Sequence, residues 1–129
     1  MVCVEWPTGT YTLAGDTITI EACTDGPRLF VSRATGHPLV QGFAPEDFKF
    51  WYHAGEQGIR PHLASLFVNP GGWTPVLLSG QWEKPALAAA EKVDGRGRWI
   101  LCQVQLQGRL DGNPVARLFA QRLAAPTIP

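Results

Sequence analysis

Two pairs of strand-length segments, each joined by a short turn that contains glycine, constrain the fold of this chain most. In the first pair, residues 10–13 and 17–21 alternate polar and apolar side chains around residues 14–16, Ala-Gly-Asp. Alternation with a period of two on both sides of such a turn is typical of a β-hairpin. The candidates for its buried face are Tyr11, Leu13, Ile18 and Ile20.

The second pair comprises residues 86–93 and 98–106, which flank the turn sequence Asp-Gly-Arg-Gly at residues 94–97. The second arm alternates regularly, so the pattern predicts another hairpin. The alanines in the first arm favour a helix by intrinsic propensity, which leaves that alternative open. Further strands are predicted at residues 29–32, 63–68 and 75–79.

Two helices are predicted from their start signals. Pro45 suits the first helical position, and Glu46 and Asp47 suit the positive end of a helix dipole, which predicts a short helix near residues 45–53. Asn113 followed by Pro114 predicts a C-terminal helix over residues 114–124. The apolar stripe of that helix is formed by Val115, Leu118, Phe119 and Leu123.

Length and composition fit one globular domain over residues 1–129. The chain is 45% hydrophobic and 17% charged, which is ordinary for a folded domain. We expect an α/β fold, with mixed α+β as the alternative, built on a mixed sheet with hairpins. We also expect this domain to be a module of a larger protein.

Charge and hydropathy argue against nucleic acid and membrane as partners. Eleven basic residues balance eleven acidic ones, whereas nucleic-acid-binding proteins usually carry a basic patch. No apolar run approaches the roughly 20 residues that span a bilayer. The first residues lack the basic and apolar regions of a signal peptide, so we expect a cytoplasmic protein.

The three cysteines, Cys3, Cys23 and Cys102, form neither an even disulfide set nor paired metal ligands. We interpret Cys23 and Cys102 as small core residues in strands. His37, His53 and His62 lack the spacing of a helical metal motif, and His37 before Pro38 suits a hydrogen bond in a turn. No metal or other cofactor is expected.

Complete catalytic motifs are missing from the sequence. Neither Gly-x-Ser-x-Gly nor its cysteine counterpart occurs, so the turn that exposes a nucleophile above a sheet is not predicted. A site assembled from His37, Asp47 and a hydroxyl group is the enzymatic alternative.

The tryptophans suggest a different kind of site. Trp73 and Trp82 lie beside glycines, where an uncovered indole face could stack on a sugar ring, so they are the candidate carbohydrate-binding residues. Aromatic side chains are also a main source of core burial, and Trp51 and Trp99 are expected to be buried.

Several ordered motifs carry a resemblance to a known family. They are FVSRATGHPLV at 30–40, GFAPEDFKFWY at 42–52, IRP at 59–61, GWTPVL at 72–77, KPALAAAEK at 84–92, ILCQVQL at 100–106 and NPVARLFA at 113–120. Together they resemble a C-terminal domain of some bacterial glycoside hydrolase family 2 proteins, similar to β-galactosidases or β-mannosidases. The tail also resembles the end of class I glutamine-amidotransferase-like domains, which are doubly wound.

This resemblance implies a non-catalytic accessory domain, because the acids of family 2 hydrolases belong to a separate barrel domain. Its expected partners are other domains of a parent glycoside hydrolase, a second copy of the chain, or carbohydrate. The alternatives are a structural domain that binds no ligand and a small hydrolase with the site described above.

Overall fold

The computed structural model describes residues 2–23, 33–34, 37–48, 52–53, 55–59, 63–68, 72–79, 87–95, 97–106 and 110–124. In these residues a mainly antiparallel sheet packs against a C-terminal helix, so the fold is mixed α+β. None of the helices formed by these residues has the length and hydropathy needed to cross a membrane.

Within the described residues the elements follow one another as ten strands, two 3-10 helices and an α-helix. They are β1 (Val2–Val4), β2 (Gly9–Leu13), β3 (Asp16–Ala22), β4 (Arg33–Ala34), the 3-10 helices Pro38–Val40 and Pro45–Phe48, β5 (Tyr52–His53), β6 (Gly58–Ile59), β7 (Ser65–Phe67), β8 (Thr74–Leu78), β9 (Leu87–Asp94), β10 (Gly97–Cys102) and α1 (Pro114–Ala124).

Eight of the strands form one sheet, in which β9 is the branch point. The main path runs β1-β10-β9-β7-β3-β2, while β8 pairs with β9 and carries β4. Leu87 at the start of β9 pairs with Phe67 of β7 and with Leu78 of β8. Strand β1 is parallel to β10, and the other named pairs are antiparallel. Strands β5 and β6 pair separately.

The sheet separates two apolar clusters. Alternate residues of a strand point to opposite faces, so Ile100 and Cys102 join the larger cluster beneath α1, while Leu101 joins the smaller cluster on the other face. The larger cluster includes Phe48, Phe119 and several aliphatic side chains. The smaller one contains Ile18, Ile20, Phe67, Trp73, Leu87, Ala90 and Leu101.

Both predicted hairpins are confirmed. Strands β2 and β3 meet at a two-residue turn, because Leu13 pairs with Asp16. The turn residues Ala14 and Gly15 both have positive φ, 51° and 81°, which suits the right-handed twist of the strands. Ile18 and Ile20 are buried, whereas Tyr11 and Leu13 are half-buried.

In the second hairpin, the alanine-rich arm is strand β9 rather than a helix. Ala88, Ala89 and Ala90 are all at most 1% exposed. Pairing with strands on both edges supplies the backbone hydrogen bonds that a helix would otherwise make, so tertiary context overrides helix propensity here. The predicted segment at 63–68 contains β7, the segment at 75–79 overlaps all of β8 except Thr74, and residues 29–32 lie outside the described residues.

The helix expected near residues 45–53 is shorter than predicted. The chain forms a single 3-10 turn over Pro45–Phe48, and Tyr52 already belongs to β5. Asp47 accepts a hydrogen bond from the Ala44 backbone N–H at 2.8 Å, and Phe48 is fully buried. These two contacts stabilise one turn, but a 3-10 helix rarely continues beyond it.

Helix α1 is confirmed over Pro114–Ala124, with Asn113 accepting the Ala116 N–H at 3.1 Å as its N-cap. Its predicted stripe needs one correction, because Leu118 is 42% exposed. The buried residues are Ala116, Phe119 and Leu123. Since each residue rotates about 100° around a helix, Leu118 lies about 100° away from Phe119 and points to solvent.

The segment after β1 is held by the buried Gln103 side chain, an arrangement that we call the Gln103 clamp. Its Oε1 accepts the Trp6 N–H at 3.0 Å, and its Nε2 donates to the Trp6 carbonyl at 2.8 Å and to Ser65 Oγ at 2.7 Å. The amide therefore pairs with both backbone groups of Trp6, as a neighbouring strand would. The clamp fixes the path by which the chain leaves β1.

The burial of α1 predicts losses of stability of very different size for substitutions at two adjacent residues. Phe119 is fully buried, and its ring centroid lies 5.3 Å from that of Phe48. Phe119→Ala should lower the free energy of unfolding by about 3–5 kcal/mol, and Leu118→Ala by about 0.5 kcal/mol or less. Urea denaturation measures both. Similar losses for the two variants would contradict this packing.

Candidate functional site

His37, Glu91 and Arg98 form a polar cluster on the helix side of the sheet. His37 precedes the 3-10 helix Pro38–Val40, Glu91 lies in β9 and Arg98 in β10. His37 Nε2 lies 2.9 Å from Glu91 Oε1, and Arg98 Nε donates to Glu91 Oε2. The side chains of His37 and Glu91 are only 6% and 14% exposed.

The hydrogen bonds of His37 identify its tautomer. Its Nδ1 accepts the Leu39 backbone N–H at 3.1 Å, so this nitrogen carries no proton. The proton of the neutral ring then lies on Nε2 and is donated to Glu91. His37 thus caps a 3-10 helix and binds β9, as its expected role in a turn suggested.

This arrangement differs from that of a catalytic triad. In a triad the carboxylate binds the protonated Nδ1 of the histidine, and Nε2 faces the nucleophile. Here the carboxylate of Glu91 is hydrogen-bonded to Nε2, while the backbone N–H of Leu39 donates to Nδ1. The cluster joins three segments of the fold through bonds that use both nitrogens of the ring.

The enzymatic alternative also involved Asp47. Its carboxylate accepts the N–H of Ala44, three residues earlier, whereas His37 binds Glu91. The structure therefore assigns the two side chains to separate structural contacts. In the part of the chain that the structure describes, no group of three His, Cys, Asp or Glu side chains could hold a metal ion.

Cys23 and Cys102 are buried free thiols, which confirms their interpretation as core residues. Cys102 ends β10 as predicted, whereas Cys23 follows the last residue of β3. Burial raises the pKa of Cys102 from an ordinary value of 9.0 to about 12, although a hydrogen bond with the backbone of Val104 opposes this rise. The Cys102 thiol is therefore protonated at neutral pH, and a protonated thiol is a poor nucleophile.

Trp73, which was predicted to offer an open indole face to a sugar ring, is instead buried. The whole residue is only 6% exposed and belongs to the smaller apolar cluster. Among the described residues, its buried Nε1 has no hydrogen-bond partner. An indole in this position has no open face on which a sugar ring could stack.

The glycine before Trp73 has a different role from the one expected. Gly72 has φ of 79°, and a Cβ on it would lie 3.0 Å from Asp16 Oδ2. Gly72 therefore allows its loop to approach the β2–β3 turn closely, and does not expose the indole.

Of the three other tryptophans for which a role was predicted, only Trp99 lies among the described residues. Trp99 packs against the smaller cluster but remains partly exposed. Trp82 and Trp51 lie outside the described residues. The sugar-contact hypothesis therefore depends on Trp82 and stays a prediction.

Sequence patterns did not single out Glu91, Arg98 or Gln103. Glu91 and Arg98 lie on either side of a hairpin turn, with Ile100 directly opposite Glu91 in the register. Opposite charges placed diagonally across a predicted hairpin are a signal that could have identified this pair from the sequence. Gln103 carries no comparable signal, because its main partner Trp6 is 97 residues away.

Comparison of the chain with protein-family models, with curated proteins and with solved structures found no match.

The polar cluster predicts that two neighbouring ion pairs of β9 contribute differently to the free energy of unfolding. Glu91→Leu leaves two donors, on His37 and Arg98, without their carboxylate, and should cost about 1–3 kcal/mol of unfolding free energy. Lys92→Leu breaks the more exposed pair with Asp16 and should cost about 1 kcal/mol or less. Chemical denaturation of both variants tests the difference, and a smaller loss for Glu91→Leu would argue against the structural role of the cluster.

The raised pKa of Cys102 predicts slow alkylation. Iodoacetamide at pH 8 should modify Cys102 only when the chain unfolds, which peptide mapping with and without urea can measure. Because the folded pKa lies above the unfolded one, the thiol's contribution to stability is complete below about pH 9 and falls as the pH rises toward 12. Rapid modification of Cys102 in the native state would contradict its burial.

Proposed function

We propose that this chain is a non-catalytic accessory domain of a carbohydrate-active protein related to glycoside hydrolase family 2, with a role in contact between domains or subunits. The observation that carries the non-catalytic part is the use of its reactive side chains by the fold. His37 and Glu91 bind each other and hold neighbouring segments. Cys102 is fully buried with its pKa raised to about 12.

The family context is supported by the ordered motifs that span residues 30–120. The likeness of the tail to glutamine-amidotransferase-like domains receives support from the element order, since the β9–β10 hairpin precedes α1. The mainly antiparallel sheet differs from the doubly wound sheet of those domains. The proposal therefore includes this likeness for the tail alone.

The contact role is supported by apolar side chains on the first strand. Val2 and Val4 of β1 are 42% and 41% exposed, and β1 lies at one end of the sheet path. An exposed strand edge is a ready surface for pairing with another chain or domain.

An activity assay tests the non-catalytic part. The purified chain should hydrolyse chromogenic galactosides, mannosides and esters no faster than buffer, and His37→Ala, Asp47→Ala and Cys102→Ala should change nothing. Turnover that one of these substitutions abolishes, in a variant shown by circular dichroism to be folded, would overturn the proposal in favour of the hydrolase alternative.

The genomic context tests the carbohydrate part. A family 2 catalytic barrel encoded in the same or an adjoining reading frame is the expected result. Neighbouring frames that encode no carbohydrate-active protein would contradict this part and leave a contact domain of a different context.

A further inference from the structure

We propose that His37 is a pH-dependent cap, which releases the start of the 3-10 helix Pro38–Val40 when its ring takes up a second proton, while the ring itself stays bound to β9. The inference goes beyond the accessory role and does not rest on it. Three features support it: the one acceptor that the ring offers to the helix, the carboxylate on the other side of the ring, and the contact that ties the far end of the segment to α1.

The Nδ1 atom of His37 can hold the helix only while it carries no proton. It accepts the Leu39 backbone N–H at 3.1 Å. A histidine ring that gains its second proton becomes a donor at both nitrogens, and two donors cannot share a hydrogen bond. Histidine is the side chain whose charge ordinarily changes between pH 5 and 8. A change of pH in this range therefore acts directly on the contact that caps the helix.

The carboxylate of Glu91 keeps the ring on β9 in both protonation states. Its Oε1 lies 2.9 Å from His37 Nε2, and Nε2 donates to it whether the ring is neutral or charged. A hydrogen bond between oppositely charged groups is stronger than one from a neutral donor, so protonation does not break this contact. Of the two bonds that the ring makes to Glu91 and Leu39, only the second is lost.

The charged groups around the ring come from three different elements. Glu91 of β9 is in direct contact with it, and Arg98 of β10 donates to the other oxygen of the same carboxylate. Arg98 repels a charged ring, but it also holds the carboxylate in place. The 3-10 helix itself is Pro-Leu-Val and carries no charge, and α1 contributes Arg122 at the far end of the segment.

Arg122 limits how far the released segment can move. Its Nη1 donates to the carbonyls of Leu39 and Gln41 at 3.2 and 2.5 Å, and arginine keeps its charge throughout this pH range. The segment is thus held at its start by a group that titrates and at its end by one that does not. Release is therefore confined to the first turn, around Pro38 and the Leu39 N–H.

Loss of the cap should loosen the cover of the larger apolar cluster. Leu39 is 6% exposed and Val40 is 2% exposed, and both belong to that cluster beside α1. A buried N–H without an acceptor costs free energy, so the turn is expected to open until water reaches the Leu39 N–H. Mildly acidic pH should therefore open this part of the surface without unfolding the sheet.

Nitrogen-15 NMR of the chain between pH 8 and pH 5 measures both events. The shifts of the ring nitrogens report the protonation of His37, and the scalar coupling across the N–H···Nδ1 bond reports its contact with Leu39. We expect the coupling to disappear over the same pH range in which the ring gains its proton. The far-ultraviolet circular dichroism spectrum should stay unchanged.

Two variants separate the cap from the carboxylate behind it. His37→Asn offers an amide oxygen that suits a cap position and does not titrate, so its Leu39 amide shift should stay constant over this range. Glu91→Gln keeps an acceptor for Nε2 but removes the negative charge that favours a charged ring. Its Leu39 contact should therefore be lost at a pH lower by about 1 unit or more than in wild type.

A coupling to Leu39 that persists after the ring is protonated would overturn the inference, and so would a ring that stays neutral down to pH 5. A Leu39 shift in His37→Asn as large as in wild type, an unchanged release in Glu91→Gln, or loss of the whole fold in this pH range would also contradict it. None of these results bears on the activity assay or the genomic context, so the accessory-domain proposal is judged separately.

Discussion

The burial of β9 on both faces is the constraint on which the rest of this fold depends. Its three consecutive alanines are almost fully inaccessible, and they divide between the two apolar clusters. Small side chains at these positions let the layers on both faces approach the strand closely. Because β9 also pairs with β10, β8 and β7, every strand of the main sheet connects to it directly or through one of these three. A larger residue at Ala88 or Ala89 would force apart the sheet and the helix that packs on it.

The parts of the fold that local sequence could predict are those whose signals lie within a few residues of one another. The β2–β3 turn and the cap of α1 are examples, since each is set by neighbouring residues such as Gly15 or Asn113. The burial of Leu118 was predicted wrongly, because an apolar residue on the flank of a helix matches the period as well as one facing the sheet. Only the position of the sheet distinguishes the two, and that position is determined by contacts distant in sequence.

The candidate site shows the same limit more clearly. The buried position of Trp73 depends on packing with Ile18 and Ile20 of β3, which lie more than fifty residues earlier in the chain. The role of Glu91 depends on His37, 54 residues away. Residue type and spacing could identify candidates for sugar stacking or acid–base chemistry. They could not show that these side chains are already used by the fold.

Polar side chains in this fold repeatedly bind the backbone of segments that lack regular pairing. His37 accepts the Leu39 N–H, and Gln103 pairs with Trp6. Arg122 of α1 donates to the carbonyls of Leu39 and Gln41, at 3.2 and 2.5 Å. Buried backbone groups need partners, and a chain with many short strands and turns leaves more of them without a ladder.

The same reasoning explains why the exposed edge of β1 stands out. Just beyond β1 a side chain from a distant segment satisfies the backbone, since the Gln103 clamp binds Trp6, one residue after Glu5. Along the outward edge of β1 the register and the hydrogen bond from the Glu5 N–H to the Cys102 carbonyl leave the groups of Val2 and Val4 facing away from β10, beside valines that are only partly covered.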